Sequence, residues 1–129
     1  MTGCLLDTNV ILIALTDPAR LKAELREALL AGPNLLSVVS YWEVLLKSMK
    51  GNLNVGDPRS WWADALDQLA ARPLPLRPEH ISAVYTLPAL HKDPFDRVLI
   101  AQAMTEEMDL VTTDHEIQRY STKSFRVIA

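Results

Sequence analysis

The chain has one cysteine, Cys4, among its 129 residues. An internal disulfide is therefore excluded, and a lone thiol in an apolar stretch is expected to be buried, as suits a reducing cytoplasm. No apolar run is long enough to span a bilayer, so no membrane role is expected. The N-terminus lacks the basic segment followed by an apolar one that marks a secretory signal. Histidine and cysteine clusters with the spacing of a zinc site are also missing. So is an excess of positive charge: the net charge is −3 at pH 7, which at first argues against a nucleic-acid partner. No internal repeat or low-complexity segment marks a second unit. With ordinary globular proportions of 49% hydrophobic and 22% charged residues, residues 1–129 read as a single domain.

What the chain does have is acidic residues at the junctions between elements. Gly3 to Leu6 is a short apolar strand ending at Asp7, followed by Thr8, Asn9 and the apolar helical run Val10 to Leu15. Asp17-Pro18 predicts a cap and a first-turn proline for a helix over Ala19–Ala31, which Gly32-Pro33-Asn34 breaks. Leu35 to Val39 reads as a second strand. Ser40 and Glu43 then have the spacing of a capping box, and Lys47 lies one turn beyond Glu43 in a helix that Gly51 ends. A further helix over Arg59–Ala71 directs Trp61 to the core and Trp62 to a surface or interface. Pro73 to Leu76 is extended, and a helix runs from Pro78 to Leu87. The loop Ala89–Lys92 carries His91, read as a solvated side chain outside the catalytic set. Asp93-Pro94 opens the next helix, in which Leu99, Ile100 and Ala103 fall on the same face as Asp96. Leu110 to Thr112 is a strand leading to Asp114. Thr113 and Glu116 form a second possible capping box, before a short helix to Tyr120 and a last strand over Phe125–Ile128.

Strands that alternate with helices imply right-handed crossovers and a mainly parallel sheet between helical layers, an α/β fold of three-layer α/β/α form. Asp7 and Asp114 directly follow strands; Glu43 and Asp96 lie in the first turns of helices. Each has a local explanation. Asp7 or Thr8 can cap a helix, Glu43 can close a capping box and pair with Lys47, Asp96 suits a helix dipole, and Asp114 can serve the last helix. In an open parallel sheet, however, all four positions gather at the carboxyl edge, where ligands bind. Four carboxylates in one crevice repel each other unless a cation joins them. An all-oxygen set points to Mg²⁺ or Mn²⁺, ions that activate water in phosphodiester hydrolysis. Setting those four acids aside leaves a net charge of +1, so the bulk charge no longer argues against nucleic acid.

Four stretches carry a specific resemblance when taken in order: Leu5-Leu6-Asp7-Thr8-Asn9, Ser40-Tyr41-Trp42-Glu43, Asp93-Pro94-Phe95-Asp96-Arg97-Val98-Leu99-Ile100-Ala101-Gln102-Ala103, and Leu110-Val111-Thr112-Thr113-Asp114. The chain resembles the PIN-domain nucleases over nearly its whole length, in particular the VapC-like toxins of toxin–antitoxin pairs. That resemblance implies a PIN-like fold in which Asp7, Glu43, Asp96 and Asp114 form the acidic metal cluster. It further implies that Asp93 caps the helix that positions Asp96, that Thr112 braces the fourth acid, and that Asn9 neighbours the first where close relatives often carry His. The activity implied is that of a Mg²⁺- or Mn²⁺-dependent endoribonuclease acting as a toxin. It would cleave RNA by metal-activated water, as a homodimer, with a cognate antitoxin whose C-terminal segment lies in an apolar groove and blocks the site. The alternative is a non-catalytic PIN-like RNA- or protein-binding module, against which the presence of all four acids argues. A receiver domain would need an adjacent acid pair after the first strand and a late lysine. A haloacid-dehalogenase-type phosphatase would need Asp-x-Asp where this chain has Asp7-Thr8-Asn9. Lys47, Lys50, Lys92 and Arg97 are candidate phosphate contacts. Specificity among RNAs lies in loop shape and basic placement, which leaves transfer, ribosomal and messenger RNA open.

Overall fold

A computed structural model describes residues 3–129. Its centre is a five-stranded sheet with every strand parallel, in the order β3-β2-β1-β4-β5. Strand β1 is Cys4–Leu6, β2 Asn34–Ser37, β3 Ala71–Leu74, β4 Asp109–Val111 and β5 Val127–Ile128. The first strand of the chain is thus the middle strand of the sheet, flanked by β2 and β4.

Residues alternate between the two faces, as the pleat requires. Cys4 and Leu6 of β1, Leu36 of β2 and Val111 of β4 enter one apolar layer. There they meet helices α1 (Thr8–Thr16), α2 (Ala23–Ala31) and α4 (Pro58–Gln68) through Val10, Ile11, Leu25, Trp61 and Ala65. Leu5 of β1 and Leu110 of β4 enter the other layer, built on α6 (Pro94–Thr105) through Leu99, Ile100 and Ala103. Helix α5 (Pro78–Thr86) packs there too, through the partly buried Ala83 and Val84. The sandwich expected from the sequence is present, with both faces of a parallel sheet covered.

Several boundaries differ from the sequence reading. The helix expected over Ala19–Ala31 is broken: Pro18–Arg20 forms a 3-10 turn, Leu21 drops into the core, and α2 starts only at Ala23. Helix α4 stops at Gln68 rather than Ala71, because Ala70 takes a left-handed φ of 48° and starts β3 two residues early. Pro73 is tolerated because β3 is an edge strand. The largest correction concerns α3, which runs from Val38 to Met49. Its cap is Ser37, whose hydroxyl accepts from the Val39 N–H at 3.0 Å, and not Ser40. Glu43 is therefore a mid-helix residue with no part in a capping box. Val38 and Val39, read as strand, begin the helix. Among the described residues no helix is long and apolar enough to cross a membrane.

Candidate functional site

At the carboxyl edge the chain turns out of β1 at Asp7, out of β2 at Ser37 and out of β4 at Thr112. Asp7 holds the N-cap position of α1 with extended backbone angles, yet its carboxylate does not cap the helix. It accepts instead from the Thr112 hydroxyl at 2.6 Å. Thr112 in turn receives the Asp114 backbone N–H at 3.0 Å. One hydroxyl therefore braces both the first and the fourth acid, where the sequence reading assigned it to the fourth alone. Thr8, buried beside Asp7, donates to Glu43 Oε1 at 2.7 Å. The other Glu43 oxygen takes Lys47 at 2.8 Å, which makes the expected helical pair part of the site's edge.

The third acid comes from α6. Asp93 caps that helix, its Oδ1 accepting from the N–H groups of Phe95 and Asp96 at 2.9 and 3.2 Å. Asp96, one residue further into the first turn than Phe95, stands half-buried at the head of the apolar stripe. Asp114 caps the short 3-10 helix His115–Tyr120 through Oδ1, which accepts from the Glu116 N–H at 3.0 Å. Thr113 is not the cap. The sequence placed His91 outside the site, and the structure places it inside. Its Nε2 lies 2.9 Å from Asp114 Oδ2 and 3.4 Å from Asp96 Oδ2. These three side chains offer ligand atoms within 4.8 Å of one another. Asp7 and Glu43 stand outside that tight group and are nearly fully buried.

The electrostatics follow from this crowding. Burial pushes the Asp96 carboxyl up to about 7, and the charges of Asp7, Asp93 and Glu43 push the same way while His91 opposes them. Burial also raises Asp7, against the hydrogen bonds from Thr112 and the Thr8 backbone. Asp114 is held below the usual carboxylate range, chiefly by the hydrogen bond from His91. The same bond raises the His91 imidazole. Lys47 is raised by its hydrogen bond to Glu43, with Asp93 and Asp96 adding to the field it feels.

Other expected residues are arranged differently. Asn9 is exposed and makes no side-chain hydrogen bond among the described residues. Lys50 and Lys92 are exposed. Arg97 faces inward, its guanidinium donating to the carbonyls of Pro88, His91 and Val84 at 3.1, 3.2 and 3.3 Å. Arg97 is thus a clamp on the loop that carries His91. Trp61 is buried, while Trp62 stacks on Tyr41 with ring centres 4.9 Å apart.

The sequence matches the model of a known family. That model, described as PIN domain, matches residues 4–123.

The chain belongs to the PIN-domain family.

This PIN domain has the fold of chains in several solved toxin–antitoxin complexes. It aligns with a chain of the promoter-DNA-bound VapBC2 complex of Rickettsia felis at TM-score 0.68 and 15% identity, covering 96% of each chain. For DNA-bound VapBC of Salmonella typhimurium the TM-score is 0.71 at 16% identity, over 98% of this chain and 97% of the other. For VapBC-5 of Mycobacterium tuberculosis it is 0.61 at 20% identity, over 98% of both. At such identities the likeness is one of fold. No curated protein matches the sequence.

Proposed function

We propose that this PIN domain is a Mg²⁺- or Mn²⁺-dependent endoribonuclease and the toxin of a toxin–antitoxin pair. The observation that carries the reading is Asp96. Its half-buried carboxyl offers an oxygen within 4.8 Å of ligand atoms on both His91 and Asp114, and burial with three neighbouring acids raises it to about 7, which suits an ion-binding role better than a merely structural one. Oxygen donors from Asp7, Glu43, Asp96 and Asp114 suit a hard divalent cation. Bound there, such an ion would supply an activated water and neutralise charge on the phosphodiester. The chain's own residues do the rest. Thr112 and Thr8 fix the buried acids by donating to one oxygen of each, which leaves the second Asp7 oxygen without a side-chain donor. Lys47 balances Glu43 at the rim and is the one of the four expected cations that stands beside the acids, where an RNA phosphate would approach.

The partners are read from the same family. An antitoxin would cover the site, and a second copy of the chain would cover the apolar patch of Trp42, Ile81 and Phe95, in which Trp42 is 54% exposed.

The test is cleavage of structured RNA by purified protein with Mn²⁺ and with EDTA, beside growth of a host expressing the protein with and without its genomic neighbour. Cleavage that needs the ion, and growth arrest relieved by the neighbour, are expected. Cleavage persisting in EDTA, with contaminating nuclease excluded, would overturn the metal mechanism. Indifferent growth at high soluble expression would overturn the toxin assignment.

A further inference from the structure

His91 lies outside the set of residues expected from the sequence, and its surroundings define a role. The ring is held from both sides. Nδ1 accepts the Asp93 backbone N–H at 3.2 Å, so Nδ1 carries a lone pair there and the ring proton sits on Nε2. Nε2 points at Asp114 Oδ2, 2.9 Å away, with Asp96 Oδ2 at 3.4 Å. An Nε2 that carries its proton has no lone pair to offer an ion. The tautomer set by Asp93 therefore makes His91 a hydrogen-bond donor to the acids rather than a ligand beside them.

The loop behind the ring is fixed as well. The His91 carbonyl accepts from Arg97, and the Pro88 carbonyl accepts from both Arg97 and the Tyr120 hydroxyl. Tyr120 is buried at the end of the 3-10 helix that Asp114 caps. The loop, the helix start carrying Asp96 and the turn carrying Asp114 are thus tied into one unit. Asp114 is the acid that most needs such a tie, since its side chain is 38% exposed against 18% for Asp96.

We propose that His91 is a positioning residue of the cation site: its Nε2–H fixes the Oδ2 atom of Asp114 beside Asp96, so that the two carboxylates meet an ion already oriented. Hydrogen-bond partners of metal ligands commonly contribute tenfold or more to affinity by this means. The inference rests on the metal-site reading above.

The test measures Mn²⁺ binding directly, by calorimetry and by the paramagnetic signal of free Mn²⁺, without RNA. His91→Ala is expected to weaken binding about tenfold. His91→Gln, whose amide N–H₂ can reach where Nε2–H stood, is expected to recover most of that loss. Lys123→Ala, which removes an exposed charge outside the acidic cluster, is expected to leave Mn²⁺ affinity unchanged. Thermal melts in EDTA establish that each variant is folded. If parent protein binds Mn²⁺ and His91→Ala binds it equally well or more tightly, the positioning role is overturned. If His91→Gln binds as weakly as His91→Ala in two folded proteins, donation from this position is overturned too. Should the parent itself bind no Mn²⁺, it is the metal-site reading that fails.

Discussion

Asp96 is the residue whose replacement separates the two readings of this sheet edge most sharply. As a first-turn acid it would interact favourably with the helix dipole, and Asp96→Asn would cost about 0.3–1 kcal/mol. In the structure it is half-buried and surrounded by Asp7, Asp93 and Glu43, which oppose its charge. Two unit charges about 5 Å apart at an effective dielectric near 20 repel by roughly 3 kcal/mol before screening. Asp96→Asn nearly preserves shape and removes that repulsion. In EDTA at neutral pH the variant is expected to melt at or above the parent's temperature, with Mn²⁺ stabilising it less than the parent. RNA cleavage is expected to fall by orders of magnitude. Paired melts and a cleavage assay on the same preparations check this; a variant that melts lower in EDTA and still cleaves at a near-parental rate would remove Asp96 from the site. At this scale the sequence was informative where one residue has one obvious neighbour. The spacing of Asp93, Pro94 and Asp96 announces a cap and the acid it presents. His91 and Thr8 were passed over because their partners, Asp114 and Glu43, lie 23 and 35 residues away. Only the folded sheet brings them together.

Among the elements, α6 and α3 show what local pattern can and cannot decide. Helix α6 begins where its cap and proline predict. The cap of helix α3 lies three residues before the predicted one, because Ser37, not Ser40, sits at its head. A fact hidden from local reading sets that boundary. The Ser37 hydroxyl accepts from the Val39 N–H while donating to the Gln102 side chain at 2.5 Å, a partner 65 residues away in α6. Val38 and Val39 are β-branched, which favours a strand on propensity, but their tertiary setting prevails. Ser37→Ala is expected to lower stability by about 1–2 kcal/mol through loss of the cap and of a buried hydrogen bond. Ser40→Ala, with no cap to lose, is expected to cost less. Denaturant titrations of both variants check the order, and the reverse order would return the helix start to Ser40.

For the whole molecule, the raised acids make stability depend on pH when no cation is present. Asp96 titrates near 7 in the folded chain and near the ordinary 3.8 when unfolded. Between those values the native state holds the extra proton, so stability falls as pH rises, and the loss is complete above the folded value. Asp7, raised by burial, adds in the same direction. Asp114, held low, contributes stability that is lost only in acid below the ordinary carboxylate range. Melting in EDTA is therefore expected to occur at a lower temperature at pH 8 than at pH 6. Saturating Mn²⁺, which favours the ionised acids, should flatten or reverse that trend. A parent protein that melts higher at pH 8 than at pH 6 in EDTA would contradict the crowding of acids described here.

The strand order has a consequence for how the protein comes into being. Strand β1 lies at the centre of the sheet, but its neighbour β4 is far along the chain: Thr112 and the acid it braces, Asp7, are separated by 105 residues. On a ribosome the first acid therefore emerges long before the hydroxyl that orients it, and Asp96, His91 and Asp114 all emerge after β3 has been made. A pairing of such long range also closes late in folding, after the local helices have formed. Nascent chains would thus carry only half of the acidic cluster until β4 and Asp114 had followed β1 out of the ribosome.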